Sequence, residues 1–166
     1  MKRIWCIPLM VFCCGALLCG CSTGTTETIT NRNIPIQDIT EFYYTYENIN
    51  FDAFYQRYHF YVDGETYMFH HETREKPNGY GWTTEEDITE SGTFELSPEE
   101  WRDFLGMLKD GTVSARTGSA SSGSSGPWMY LYWKNDKGKY QEYAFASVEA
   151  KNGFEDYCNA LAHTGR

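Results

Sequence analysis

The side chains of this chain best suited to chemistry are histidines, carboxylates and aromatics, and their spacing limits what each could do. His71-Glu72-Thr73-Arg74-Glu75 carries half of the H-E-x-x-H pattern, in which a helix presents two zinc-binding imidazoles and a general base. Glu75 stands where the second histidine belongs. The segment also alternates as a strand, where residues four apart do not wrap onto a shared ligand face. A metalloprotease is therefore disfavoured. His70 and His71 are adjacent on that strand and point to opposite faces. His59 and His70 make a better pair, set diagonally on one face of a hairpin and near enough to share Zn²⁺ or Cu²⁺. The sequence supplies no third ligand, so exposed strand histidines without a metal are the expectation.

A glycosidase needs only two carboxylates. Here Glu99 and Glu100 are explained by helix capping, and Glu85, Glu86 and Asp87 form a solvated loop run. There is no G-x-S-x-G elbow, P-loop, glycine-rich dinucleotide turn or C-x-x-C. No catalytic residue is expected, and no cofactor is implied. The aromatic content, 17% of the chain, is the one feature with a functional slant. Exposed Tyr and Trp offer flat platforms for sugar rings or anchors for protein partners. Trp82, in the loop Gly79-Tyr80-Gly81-Trp82, is the leading candidate, followed by Tyr43, Tyr61 and Trp133 on strand faces. Trp128 and Trp101 are expected to pack.

The elements that would position these side chains are mostly strands. Asp38 to Ile49 alternates, with Phe42, Tyr44 and Tyr46 on one face and Glu41, Tyr43, Thr45 and Glu47 on the other. Arg57 to Arg74 reads as a hairpin turning at Asp63-Gly64 in a type I′ connection. Residues 76–86 form a loop, and Ile88 to Leu96 a further strand interrupted by Gly92. Ser97-Pro98-Glu99-Glu100 opens a helix with a capping box and proline in the first turn. Its apolar stripe is Trp101, Phe104, Leu105 and Leu108, and Gly111 ends it. Residues 117–126 are a low-complexity loop. Pro127 to Trp133 and Lys139 to Ser147 form a second hairpin. Asn152 is expected to cap a last helix with Phe154, Tyr157, Cys158 and Leu161 inward and Glu155 completing its box. The order predicts an α+β fold, an antiparallel sheet of about five to six strands with two amphipathic helices on one face. The other face is left open to water, since Tyr43, Tyr61, Met129, Leu131 and Trp133 cannot all lie beneath two short helices.

The chain begins differently from the rest. Met1-Lys2-Arg3 is cationic, Ile4 to Leu18 is almost purely apolar, and small residues follow. The apolar run is short of the roughly 20 residues that span a bilayer. Leu18-Cys19-Gly20-Cys21 resembles the lipobox of bacterial lipoproteins. That resemblance implies a diacylglycerol thioether on Cys21 and cleavage between Gly20 and Cys21. Residues 1–20 would be the cleaved signal, 21–37 the lipidated cysteine and a flexible tether, and 38–166 a single domain. The layout is similar to that of small lipoproteins of Gram-positive bacteria.

Cleavage would remove Cys6, Cys13, Cys14 and Cys19 and alkylate Cys21, leaving Cys158 as the one free thiol and no disulfide framework. Loss of Lys2 and Arg3 takes the formal charge from −9 to −11. Such a balance disfavours nucleic acid, where Lys and Arg neutralise phosphates, and leaves membrane contact to the lipid. The expected function is a non-catalytic binding or accessory module of the cell envelope, held on the extracytoplasmic face of the cell membrane and contacting an envelope protein or glycan. The alternative is an envelope hydrolase or a metal-binding lipoprotein.

Overall fold

The computed structural model of the chain describes residues 28–29, 34–109, 111–116, 126–134 and 140–164. The proposed signal, Cys21, most of the tether, most of the low-complexity loop and residues 135–139 lie outside the described residues. The fold is α+β, built on a seven-stranded antiparallel sheet in the order β6-β5-β4-β3-β8-β9-β7. Its strands are β3 (Ile39–Asn48), β4 (Ala53–Asp63), β5 (Thr66–Lys76), β6 (Ile88–Leu96), β7 (Val113–Ala115), β8 (Trp128–Trp133) and β9 (Tyr140–Phe145). A separate two-stranded ribbon, β1 (Thr28–Ile29) and β2 (Ile34–Pro35), precedes it. Ile34 is buried in the main core, so packing reaches back beyond the boundary expected at residue 38.

Alternation explains the sheet's two sides. Phe42, Tyr44, Tyr58, Phe60, Phe69, Met129, Leu131 and Tyr143 are buried on one side. Helices α1 (Pro98–Gly106) and α2 (Val148–Ala162) cover that side. Phe42 touches both of them, with ring centroids 5.5 Å from Phe104 and 5.7 Å from Phe154. Phe60 stacks flat on Phe104 at 3.9 Å. The sheet has more strands than expected because β7 is a three-residue edge strand, too short to show a period.

Helix α1 starts as its sequence dictates. The Ser97 Oγ accepts from the Glu100 amide at 3.2 Å, and the Ser97 amide donates to the Glu100 carboxylate at 2.8 Å. Ser97→Ala is expected to destabilise the domain by about 1 kcal/mol, read as a lower urea midpoint at unchanged slope. The helix ends at Gly106 rather than near Gly111, which instead adopts a φ of 85° in the turn into β7. Helix α2 starts earlier than expected. Ser147, not Asn152, is its cap, accepting from the Ala150 amide at 3.1 Å. Glu155 closes no capping box there; it pairs with Lys151 and accepts from the Tyr44 hydroxyl. Cys158 is fully buried, and burial pushes its thiol pKa well above the usual range.

The β4–β5 turn differs by one residue. Asp63 pairs with Thr66, so Gly64 and Glu65 are the central residues, and Gly64 alone has a positive φ, 62°. Glycine in the first central position is the pattern of a type II′ rather than a type I′ turn. Gly92 does not interrupt β6. The imidazole of His71 fills the space a side chain would take, with Nε2 2.6 Å from where a Cβ would sit.

Candidate binding surface

Both helices lie on one side, so the other side of the sheet is uncovered by any helix among the described residues. Cross-strand register arranges its side chains in rows. One row runs Trp128, Thr45, Arg57, Glu72 and Ser91; the next runs Glu142, Tyr130, Tyr43, His59, His70 and Thr93. A third runs Tyr140, Tyr132, Glu41, Tyr61, Met68 and Glu95. Six strands at about 4.8 Å spacing make such a row about 24 Å long.

The rows are knitted by ring contacts. Tyr43 stacks on His59 at 3.9 Å, and His59 on Tyr61 at 4.5 Å. Tyr132 meets Tyr43 edge-on at 6.1 Å, and Tyr140 meets Tyr130 edge-on at 4.8 Å. The Arg57 guanidinium lies 5.0 Å over the Tyr43 ring, and Arg116 lies 4.7 Å over Trp128. Two ion pairs lie on this face, Arg74 with Glu72 and Arg116 with Glu142, each at 2.7 Å, and the His59 ring is hydrogen-bonded to the Glu41 carboxylate at 2.8 Å. The Arg57 Nε is buried without a hydrogen-bond partner among the described residues. The result is an aromatic surface braced by ring contacts and ion pairs.

The sequence candidates divide here. Tyr43 and Tyr61 belong to this surface and are joined through His59. Trp133 does not; it is half-buried against the core beside Ile39, on the helix side with the buried Met129 and Leu131. From β8 and β9 the open face instead carries Tyr130, Tyr132 and Tyr140. Trp82 is 68% exposed, but at the end of the sheet, where the β3–β4 and β5–β6 connections meet. There Gly81 donates to the Ile49 carbonyl at 2.9 Å, and the Phe51 and Tyr80 rings meet at a tilt with centroids 5.4 Å apart. Trp82 is thus separate from the Tyr43 rows.

His59 and His70 are directly opposite, not diagonal. Each has its own partner: Glu41 for His59, and the Thr93 hydroxyl at 2.8 Å for His70. Among the described residues no three His, Cys, Asp or Glu side chains converge as metal ligands. His71 faces the core, buried, while Glu75 is exposed, so the zincin-like residues form no shared site.

Burial lowers the pKa of His59, His70 and His71, against the raising effect of Glu41, Glu72 and Glu90 respectively. Burial, then the Glu41 carboxylate, pushes the Tyr43 hydroxyl up to about 12, so it stays a neutral donor. The histidines set a pH dependence. Above about pH 6.5 they are neutral folded or unfolded. Below it the unfolded chain takes up protons first, so stability falls as pH falls. Glu47, whose pKa burial raises, works in the opposite sense at lower pH. The melting temperature is expected to drop between about pH 7 and pH 5, and less so in His71→Gln.

No family model, curated protein or solved structure matches this chain. Among the described residues no helix is long and apolar enough to cross a membrane.

Proposed function

We propose that the protein is a lipid-anchored, extracytoplasmic module of the cell envelope that holds a protein or glycan partner against the open face of its sheet, without catalysis of its own. The observation that carries this reading is the aromatic surface itself. Tyr43, Tyr61, Tyr130, Tyr132 and Tyr140 lie on one uncovered face, braced by stacking and paired charges. Tyrosines held in this way give contact area at little further entropic cost. A lipid on Cys21 would keep that face near the membrane, since the 13 residues from Cys21 to Ile34 span at most about 45 Å.

The test is the size of the assembly extracted from its own envelope with mild detergent. The wild-type chain is expected to sediment with a partner, and Tyr43→Ala/Tyr132→Ala to sediment alone with its fold intact. A wild-type chain that sediments alone, or a double variant that keeps its partner, contradicts the reading.

A further inference from the structure

On the helix side, the sheet extends past the cover that α2 provides. Between them lies an open cleft of about 490 Å³, lined by Tyr46, Phe54, Thr73, Lys151, Glu155 and Asn159 among others. That volume falls within the roughly 300–1,000 Å³ of small-molecule sites. The three α2 residues recur every four positions and so form one stripe of the helix facing the strands.

The polar groups are fixed and partly unspent. The Tyr58 hydroxyl donates to the Asn159 Oδ1 at 2.6 Å, leaving the amide N–H groups of Asn159 for a ligand. Thr73 donates to the Gln56 Oε1 at 2.9 Å, and its oxygen can still accept. Lys151 Nζ donates to the Glu155 Oε2 at 2.6 Å, and Tyr44 donates to the Oε1 of the same carboxylate. Opposite them Tyr46 and Phe54, ring centroids 6.3 Å apart, form an apolar wall.

This pairing of charges selects the ligand. An anion drawn to Lys151 meets Glu155 beside it, and a cation drawn to Glu155 meets Lys151; each would have to displace a close ion pair. A hydroxyl can donate to the carboxylate and accept from the ammonium at once, without parting them. The aromatic wall suits a C–H face on the same molecule. From this cleft we infer a second binding site, distinct from the open sheet face, for a neutral pyranose sugar: hydroxyl edge toward Lys151, Glu155 and Asn159, ring face toward Tyr46 and Phe54.

The experiment is saturation-transfer NMR on the full chain in a sugar-free zwitterionic detergent. Its probes are glucose and N-acetylglucosamine, with glucuronate and glucosamine as charged counterparts. At least one neutral sugar is expected to receive saturation, and the charged ones markedly less. Lys151→Ala, a partly exposed position on a helix, is expected to weaken binding at least about tenfold, or 1.4 kcal/mol. Phe54→Ala is expected to do the same, and Arg102→Ala, at an exposed position on α1 outside both surfaces, to change nothing. No transfer to either neutral sugar, equal transfer to the charged ones, or binding unchanged in a folded Lys151→Ala protein overturns the assignment.

Discussion

Phe154→Ala is expected to lower the unfolding free energy by about 3–5 kcal/mol. Phe154 is fully buried and touches five other rings: Phe42, Tyr44, Tyr58, Phe60 and Phe145, at centroid distances from 5.4 to 6.3 Å. These rings come from β3, β4 and β9, so the side chain joins α2 to the centre of the sheet and to the strand beyond β8. Truncation removes its transfer free energy and leaves a cavity bounded by rings that cannot collapse without parting the strands. A domain of this size is stable by only about 5–15 kcal/mol, so the loss is a large share of the total. Urea unfolding checks it, through a lower midpoint at unchanged slope. A loss below about 1 kcal/mol would show that α2 is not pinned through this residue.

The second large effect is on the anchor. Under the proposed function, Cys21→Ser is expected to abolish fatty-acid incorporation, because the thioether needs the sulfur of Cys21. Two acyl chains at about 0.8 kcal/mol per buried methylene hold a protein on a bilayer durably, whereas one short chain holds it only marginally. The readout is labelled fatty acid in the protein band. Fractionation alone is ambiguous, since an uncleaved precursor stays in the membrane through residues 4–18. Cys19→Ser should keep the label. Label retained in Cys21→Ser, or lost in Cys19→Ser, contradicts the assignment of the acceptor.

Much of the scaffold was legible because several local signals agreed. The start of α1 combines Ser97, Pro98 and Glu100 with an apolar stripe, and nothing competes with it. The β4–β5 pairing was legible through alternation, which fixed the faces correctly. Placing the turn one residue early shifted the pairing by two. Each side chain kept its face, but His70 moved from diagonal to directly opposite His59. The start of α2 was obscured because Ser147 and Asn152 are both good caps and Gly153 suggests a break between loop and helix. Val113–Ala115 is too short to carry a period.

The surface itself was read only in part. Strand β8, Trp-Met-Tyr-Leu-Tyr-Trp, is apolar or aromatic at every position, so the sequence gives no preferred side. A register shift between Ile39 and Glu41 where β3 meets β8 then sets Trp133 beside Ile39. Only the helices decide the matter, by covering Met129 and Leu131 and leaving Tyr130 and Tyr132 outside. The exposed Trp82 could be named from its glycine-flanked loop, but its distance from the tyrosine rows depends on which strand ends meet.

Site-specific photocrosslinking in the cell that makes the protein tests the central claim most directly. A photoreactive phenylalanine analogue would replace Tyr61 or Tyr132 on the open face, or the exposed Arg102 on α1 as a control. A discrete adduct from both tyrosine positions and none from Arg102 is predicted. No adduct from either tyrosine position, or the same adduct from Arg102, would contradict the proposal that the uncovered face of the sheet is where this protein does its work.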